Sequence, residues 1–294
     1  MRLVYSASTH IGKVRENNED NLYVPGRLVP YENADAVLAL TGDVHTPCVF
    51  AVCDGMGGQE HGEYASYVAA GGLAELEAAI KTAPTSGIDG LVQEYVEKVN
   101  NTICVKMREK SVRIGTTLAL VIVTDEDIMP YNIGDSRIYA VKDGELIQVS
   151  KDHTLVMQKV NMGILTKEEA RHDRDRNKLT RYLGMFEDEM VMEAEPSPPL
   201  SINGYFPIIL ASDGLTDMVE DEKIKEVLQS FPAKEAVELL VASALERGGK
   251  DNISCIVINK VGEAAEKLTR DAKPAGRFSR IFAKLCGGIN KGGD

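Results

Sequence analysis

The run Leu118-Ala119-Leu120-Val121-Ile122-Val123 is apolar throughout, rich in β-branched residues and bounded by polar turn residues. Such a run reads as a strand. Met129–Ile133 and Arg137–Val141 follow with the same character. Arg137–Val149 reads as a hairpin, because Lys142-Asp143-Gly144-Glu145 supplies Asp-Gly turn chemistry. Further out, Val49–Cys53, Ile208–Ala211 and Ser254–Ile258 are also strand-like. Helices are signalled separately. Ala65, Val68, Ala69, Leu73, Leu76 and Ile80 recur at helical spacing, as do Leu91, Val92, Tyr95, Val96, Val99 and Ile103. A third helix is expected over Ala233–Leu245. Strands and long helices thus come in blocks, which points to α+β architecture on mostly antiparallel sheets rather than a doubly wound parallel sheet.

The chain has 294 residues, 44% of them hydrophobic and 27% charged, which is enough to bury a sizeable core. Asp and Glu number 45 against 33 Lys and Arg, a formal net charge of −12. That balance argues against nucleic acid as a partner, since phosphate backbones are held by clustered cations. It would also repel phosphorylated ligands, unless metal ions invert the local field. Five scattered cysteines never form a C-x-x-C pair; buried thiols in a reducing cytoplasm are expected. Met1–Ser6 lacks an apolar signal core, and no run approaches the roughly 18 apolar residues of a membrane span. A soluble cytoplasmic protein is the expectation.

Residues 1–261 read as one domain and residues 262–294 as a basic tail, with the junction at Gly262. The tail carries seven basic and four acidic residues, so the body is near −15. Within the body, residues 150–190 are polar and charged. Thr166-Lys167-Glu168-Glu169 offers them a capping box for a short helix.

Four Asp-centred turns follow or adjoin predicted strands. They are Asp54-Gly55 after Val49–Cys53, Gly134-Asp135-Ser136, Ser212-Asp213-Gly214, and Lys250-Asp251-Asn252. One Asp-Gly pair usually means only a tight turn. Four acids at strand ends can converge, and clustered carboxylates need a cation to neutralise them. A set of oxygens without His or Cys suits Mg²⁺ or Mn²⁺. Glycine beside Asp54 leaves its carbonyl free to approach a metal.

The order and wording of these motifs resemble the type 2C metal-dependent Ser/Thr protein phosphatases, especially their bacterial branch, over about residues 1–260. The resemblance rests on Arg15-Glu16-Asn17-Asn18-Glu19-Asp20-Asn21, Asp54-Gly55-Met56-Gly57-Gly58, Gly115-Thr116-Thr117 and Asn132-Ile133-Gly134-Asp135-Ser136-Arg137. It continues through Leu179-Thr180-Arg181-Tyr182-Leu183-Gly184, Ser212-Asp213-Gly214-Leu215-Thr216-Asp217 and Gly249-Lys250-Asp251-Asn252-Ile253. It implies a four-layer α-β-β-α sandwich with two central sheets, a dinuclear metal site at one end, and residues 150–190 as a flap. By motif, Asp54 corresponds to the carboxylate bridging both ions, with the Gly55 carbonyl on the second. Asp213 and Asp251 correspond to ligands of the first. Glu19 and Asp20 would hold metal-bound waters, Asp135 would serve a third, weaker metal shared with Asp213, and Arg15 would bind phosphate.

The implied reaction is hydrolysis of phosphoserine and phosphothreonine by in-line attack of a water bridging two Mn²⁺ or Mg²⁺ ions. Two ions about 3.5–4 Å apart can supply hydroxide near neutral pH. Arg15 adds a planar fork of donors for the phosphoryl oxygens. Asp54, Arg15, Asp213 and Asp251 are therefore the candidate catalytic residues. A phosphorylated protein and a cognate Ser/Thr kinase are the implied partners, and the family is usually monomeric. The alternative is a non-catalytic or narrowly specific regulatory protein of the same fold, in a partner-switching system. An unrelated two-metal nuclease is disfavoured by the acidic body and the motif order.

One position departs from eukaryotic members, where His often stands two residues after the bridging Asp as a proton donor. Met56 stands here instead, so His61 or a metal-bound water would have to serve. His153 reads as a hydrogen-bonded structural histidine. Arg171, Arg174, Arg176 and Lys178 could meet substrate, although interleaved Asp173 and Asp175 suggest a solvated face. In the tail, Phe278, Ile281, Phe282 and Leu285 would share one helical face among Arg277, Arg280 and Lys284. Such a segment could contact an anionic membrane or a partner, or pack on its own domain.

Overall fold

A computed structural model describes residues 1–29, 38–57 and 62–261. Gly58, His61 and the tail from residue 262 lie outside the described residues. In chain order the first strands are β1 (Arg2–His10), β2 (Asp20–Val24), β3 (Arg27–Leu28), β4 (Leu38–His45) and β5 (Cys48–Gly57). Helices α1 (Gly62–Ile80) and α2 (Ile88–Lys110) follow, and then β6 (Ile114–Thr116), β7 (Leu118–Val123), β8 (Asp127–Ile133), β9 (Arg137–Lys142) and β10 (Glu145–Gln148). The flap contributes α3 (Leu155–Asn161) and α4 (Lys167–His172). The chain closes with β11 (Glu195–Pro196), β12 (Leu200–Ser201), β13 (Ile208–Ala211), α5 (Asp213–Thr216), α6 (Asp221–Ser230), α7 (Ala233–Glu246) and β14 (Ile253–Lys260).

One sheet runs β10-β9-β13-β14-β1-β4 and the other β11-β8-β7-β5-β2-β3, with β12 on β8 and β6 on β5. The strand pairings within both sheets are antiparallel. Strands alternate their side chains between faces, and here both faces are covered, so apolar runs are continuous. On β5, Val49, Ala51 and Cys53 pack into the core under α1 and α2, while Cys48, Phe50 and Val52 meet the other sheet. On β14, Ile256 and Ile258 face between the sheets, whereas Cys255 and Val257 lie under α5, α6 and α7. The result is the expected four-layer α-β-β-α sandwich.

The Asp143-Gly144 turn closes the β9–β10 hairpin with positive φ at both residues, 51° and 81°, as a type I′ turn requires. Thr166 and Glu169 form the expected capping box at α4. Cys48, Cys53, Cys104 and Cys255 are buried and free. Among the described residues no helix is long and apolar enough to cross a membrane.

At Asp54 the expected turn is replaced by strand. β5 continues through Gly57 because β6 pairs with Gly55–Gly57, and Thr117 N–H donates to the Asp54 carbonyl at 2.9 Å. The unbroken strand carries Asp54 inside the sheet rather than on a loop.

Candidate metal centre

Antiparallel pairing brings the acids to one end of the sandwich. Asp20 opens β2 and sits directly opposite Asp54 on β5. Asp135 occupies the turn from β8 into β9, Asp213 begins α5 straight after β13, and Asp251 lies just before β14. Strand partners β13 and β14 hold the last two together, with Ser212 N–H donating to the Ser254 carbonyl at 3.0 Å. Two close backbone approaches demand glycine. A Cβ on Gly214 would lie 1.9 Å from the Asn252 carbonyl oxygen, and one on Gly55 would lie 2.3 Å from that of Gly62 and 2.5 Å from that of Glu19.

The acids feel one another. Burial raises the Asp54 carboxyl well above its ordinary range, and the nearby charges of Asp20, Asp213, Asp135 and Asp251 raise it further. Asp213 is raised likewise, by burial and then by Asp135, Asp251, Asp217 and Asp20. Burial also lifts Asp20 to about 6, Asp135 to about 7 and Glu19 to about 7. Asp20 Oδ2 accepts from the Ser212 hydroxyl at 2.8 Å, while its buried Oδ1 has no hydrogen-bond partner among the described residues. A buried, unpartnered carboxylate oxygen is costly unless something positive meets it.

Every donor here is oxygen, the set that hard divalent cations take. An orphaned carboxylate oxygen, mutual repulsion and all-oxygen chemistry together fit a magnesium- or manganese-type ion. Among the described residues no three His, Cys, Asp or Glu side chains are drawn into a finished cage. Unneutralised carboxylates repel one another, so a cation would have to draw them closer.

Sequence reasoning missed the frame that holds this set. Asn252 Nδ2 donates to the Ile11 and Asn17 carbonyls, both at 2.9 Å, and its Oδ1 accepts from Glu19 N–H at 2.8 Å. It thereby pins both ends of the loop that carries Arg15. Arg15 Nη2 donates to Asp251 Oδ2 at 2.8 Å, with half of the arginine side chain exposed. Thr117 Oγ1 accepts from the Asp54 amide at 3.0 Å and shares a 2.7 Å hydrogen bond with the Ser136 hydroxyl. Thr116 Oγ1 donates to the Asp54 carbonyl at 2.9 Å. Asn252, Arg15, Thr117, Thr116 and Ser136 all stand within the quoted motifs, and Arg15 was expected at the site; the bonds that the other four make had no local signal.

His153 is hydrogen-bonded at both ring nitrogens, as the structural reading required. In the flap, Lys159 and Lys178 pair with Asp175, Arg176 lies 3.6 Å from Asp217, and Arg171 pairs with Glu220. Most of the flap's cations are thus engaged by carboxylates of the protein itself.

A family model described as Protein phosphatase 2C matches residues 32–253. The chain is 33% identical over 261 residues to Serine/threonine protein phosphatase PstP of Mycobacterium tuberculosis. That match covers 88% of this chain but only 45% of PstP, so the chain spans less than half of that relative. Serine/threonine phosphatase stp of Listeria monocytogenes is 31% identical over 263 residues, covering 86% of this chain and 94% of that one. Among solved structures, the catalytic domain of PstP in complex with two manganese ions matches with a TM-score of 0.71. That comparison has 30% identity and covers 89% of this chain and all of the other.

Proposed function

The chain belongs to the protein phosphatase 2C family, and on that premise we propose that it hydrolyses phosphoserine and phosphothreonine in proteins, reversing a Ser/Thr kinase. The observation that carries this reading is the set of mutually repelling acids around Asp54, with Asp20 Oδ1 unpartnered and Arg15 at the rim. Asp54, Asp213, Asp251 and the Gly55 carbonyl would hold two divalent cations, manganese or magnesium. Glu19 and Asp20 would hold them through water, and Asp135 would serve a weaker third site. When bound, such ions supply a water nucleophile active near neutral pH and cancel charge on the phosphoryl group.

The residues of the chain do the rest. Arg15, released from Asp251 by an arriving phosphate, presents two parallel N–H groups to its oxygens. Thr117, Thr116 and Ser136 keep the Asp54 backbone fixed, so that its carboxylate need not reorganise during reaction. Residues 1–261 form the catalytic unit and residues 262–294 an appended basic segment. Turnover of a phosphothreonine peptide and of p-nitrophenyl phosphate, with Mn²⁺ and then with excess chelator, tests the reading. Hydrolysis that requires the metal is expected; well-folded protein inert under both conditions would refute it.

A further inference from the structure

The flap leaves the sheets near Ser150 and returns near Leu183, and its two ends meet at a narrow base. Thr180 N–H donates to the His153 carbonyl at 2.8 Å, Leu155 N–H donates to that of Lys178 at 2.8 Å, and Thr154 bridges Leu179. Glu195, on strand β11, gathers side chains from both ends. Its Oε1 accepts from Lys151 Nζ at 2.7 Å, its Oε2 meets His153 Nε2 at 2.9 Å, and Arg181 lies 3.7 Å away.

The other face of the imidazole looks toward the candidate centre. His153 Nδ1 accepts from the Gly134 amide at 3.0 Å, and His153 N–H donates to the Gly134 carbonyl at 2.9 Å. An amide can only donate, so Nδ1 carries no proton and Nε2–H is the group offered to Glu195. Gly134 has φ +96°, and a Cβ there would stand 2.6 Å from Thr117 Cγ2. The Gly134–Asp135 turn is thus wedged between His153 and Thr117, and Thr117 in turn holds the Asp54 amide.

We propose that His153 is a positioning residue: through its two ring nitrogens it ties the base of the flap, at Glu195, to the Gly134–Asp135 turn beside the centre. Displacement of the flap by a phosphoprotein is thereby transmitted to Asp135. The kinetic part of this inference rests on the phosphatase reading; the structural part does not.

The two ring contacts can be separated. In His153→Asn, Oδ1 replaces Nδ1 and keeps the Gly134 contact while the Glu195 contact is lost. In His153→Gln, the side-chain amide reaches Glu195 while the Gly134 contact is lost. One hydrogen bond is worth about 0.5–1.5 kcal/mol, so effects of up to about tenfold are expected. His153→Asn should speed amide exchange across 155–178 several-fold and raise KM for a phosphothreonine peptide, with a smaller fall in kcat than His153→Gln. His153→Gln should keep near-native flap exchange but lower kcat on both the peptide and p-nitrophenyl phosphate. Glu195→Ala, away from the centre, removes the acceptor of His153 Nε2–H and should reproduce the exchange phenotype of His153→Asn. Identical profiles for the two histidine variants, or native flap exchange in both His153→Asn and Glu195→Ala, would overturn the proposal. If neither histidine variant folds, flap exchange in Glu195→Ala decides alone: faster supports the tie, unchanged refutes it. Exchange reads the tie whether or not any form turns over, so its failure is distinguishable from failure of the phosphatase reading.

Discussion

Arg15 spends one nitrogen on Asp251, and its remaining donors have no partner among the described residues. Those free donors are what a phosphoryl group would meet. Arg15→Ala should therefore lower kcat/KM by about 10²-fold, and Arg15→Lys should recover little of it, because an ammonium cannot replace a two-pronged planar contact. Steady-state kinetics on a phosphothreonine peptide checks this; a Lys variant within twofold of the native protein would contradict the bidentate role. At this scale the sequence was legible for the acids, because Asp54, Asp135 and Asp213 each stand next to glycine or serine in turns beside apolar strand runs, and Asp251 lies just ahead of another such run. Asn252 and Thr117 stand within the quoted motifs, but the bonds they make were not legible, since their partners lie as far as 241 and 63 residues away. Hydrogen bonds across such separations leave no local pattern.

Strands were legible where both faces are buried, since β7 and β13 appear as unbroken apolar runs with the bounds expected of them. β5 was expected to stop at Cys53 and instead runs to Gly57, because β6 offers it a partner that no local pattern announces. β1 is harder to read. Its Ser6, Ser8 and Thr9 are buried, and the Ser6 and Thr9 hydroxyls hydrogen-bond to neighbouring strands or loops, so its polar letters suggest more exposure than it has. Helix α6 is half charged and buries only Ile224, Val227 and Leu228. Packing between layers makes Phe50 the sharpest test of the sandwich. It is fully buried between the sheets and meets Tyr5 edge-on, with ring centroids 5.4 Å apart. Phe50→Ala should cost about 3–5 kcal/mol, measurable by urea unfolding; a loss below about 1 kcal/mol would show that the two sheets do not depend on that contact.

The whole molecule sets acids against each other at one end of a negative body, and this gives stability an unusual pH dependence. Glu19, Asp20 and Asp135 titrate at about 7, 6 and 7 in the native state, against ordinary values of 4.5, 3.8 and 3.8. Between about pH 4 and 7 the unfolded chain releases these protons first while the native state retains them. The unfolded state then binds fewer protons, and stability falls as pH rises through that window. In excess chelator, the Tm should therefore be higher at pH 5.5 than at pH 8, and Mn²⁺ should raise Tm more at pH 8 than at pH 5.5. A Tm in chelator that climbs from pH 5.5 to pH 8 would contradict this reading of the cluster. The acid surplus that argues against nucleic acid thus becomes a local resource: a few buried carboxylates that protons or metal cations neutralise.

The central claim is that these carboxylates form a cation site organised around Asp54. Calorimetric titration of chelator-treated protein with Mn²⁺, beside the isosteric Asp54→Asn variant, tests it most directly. The account predicts two sites per chain in the native protein and loss of tight binding in Asp54→Asn, while far-UV circular dichroism stays unchanged. Equal stoichiometry and affinity in the two proteins would contradict it.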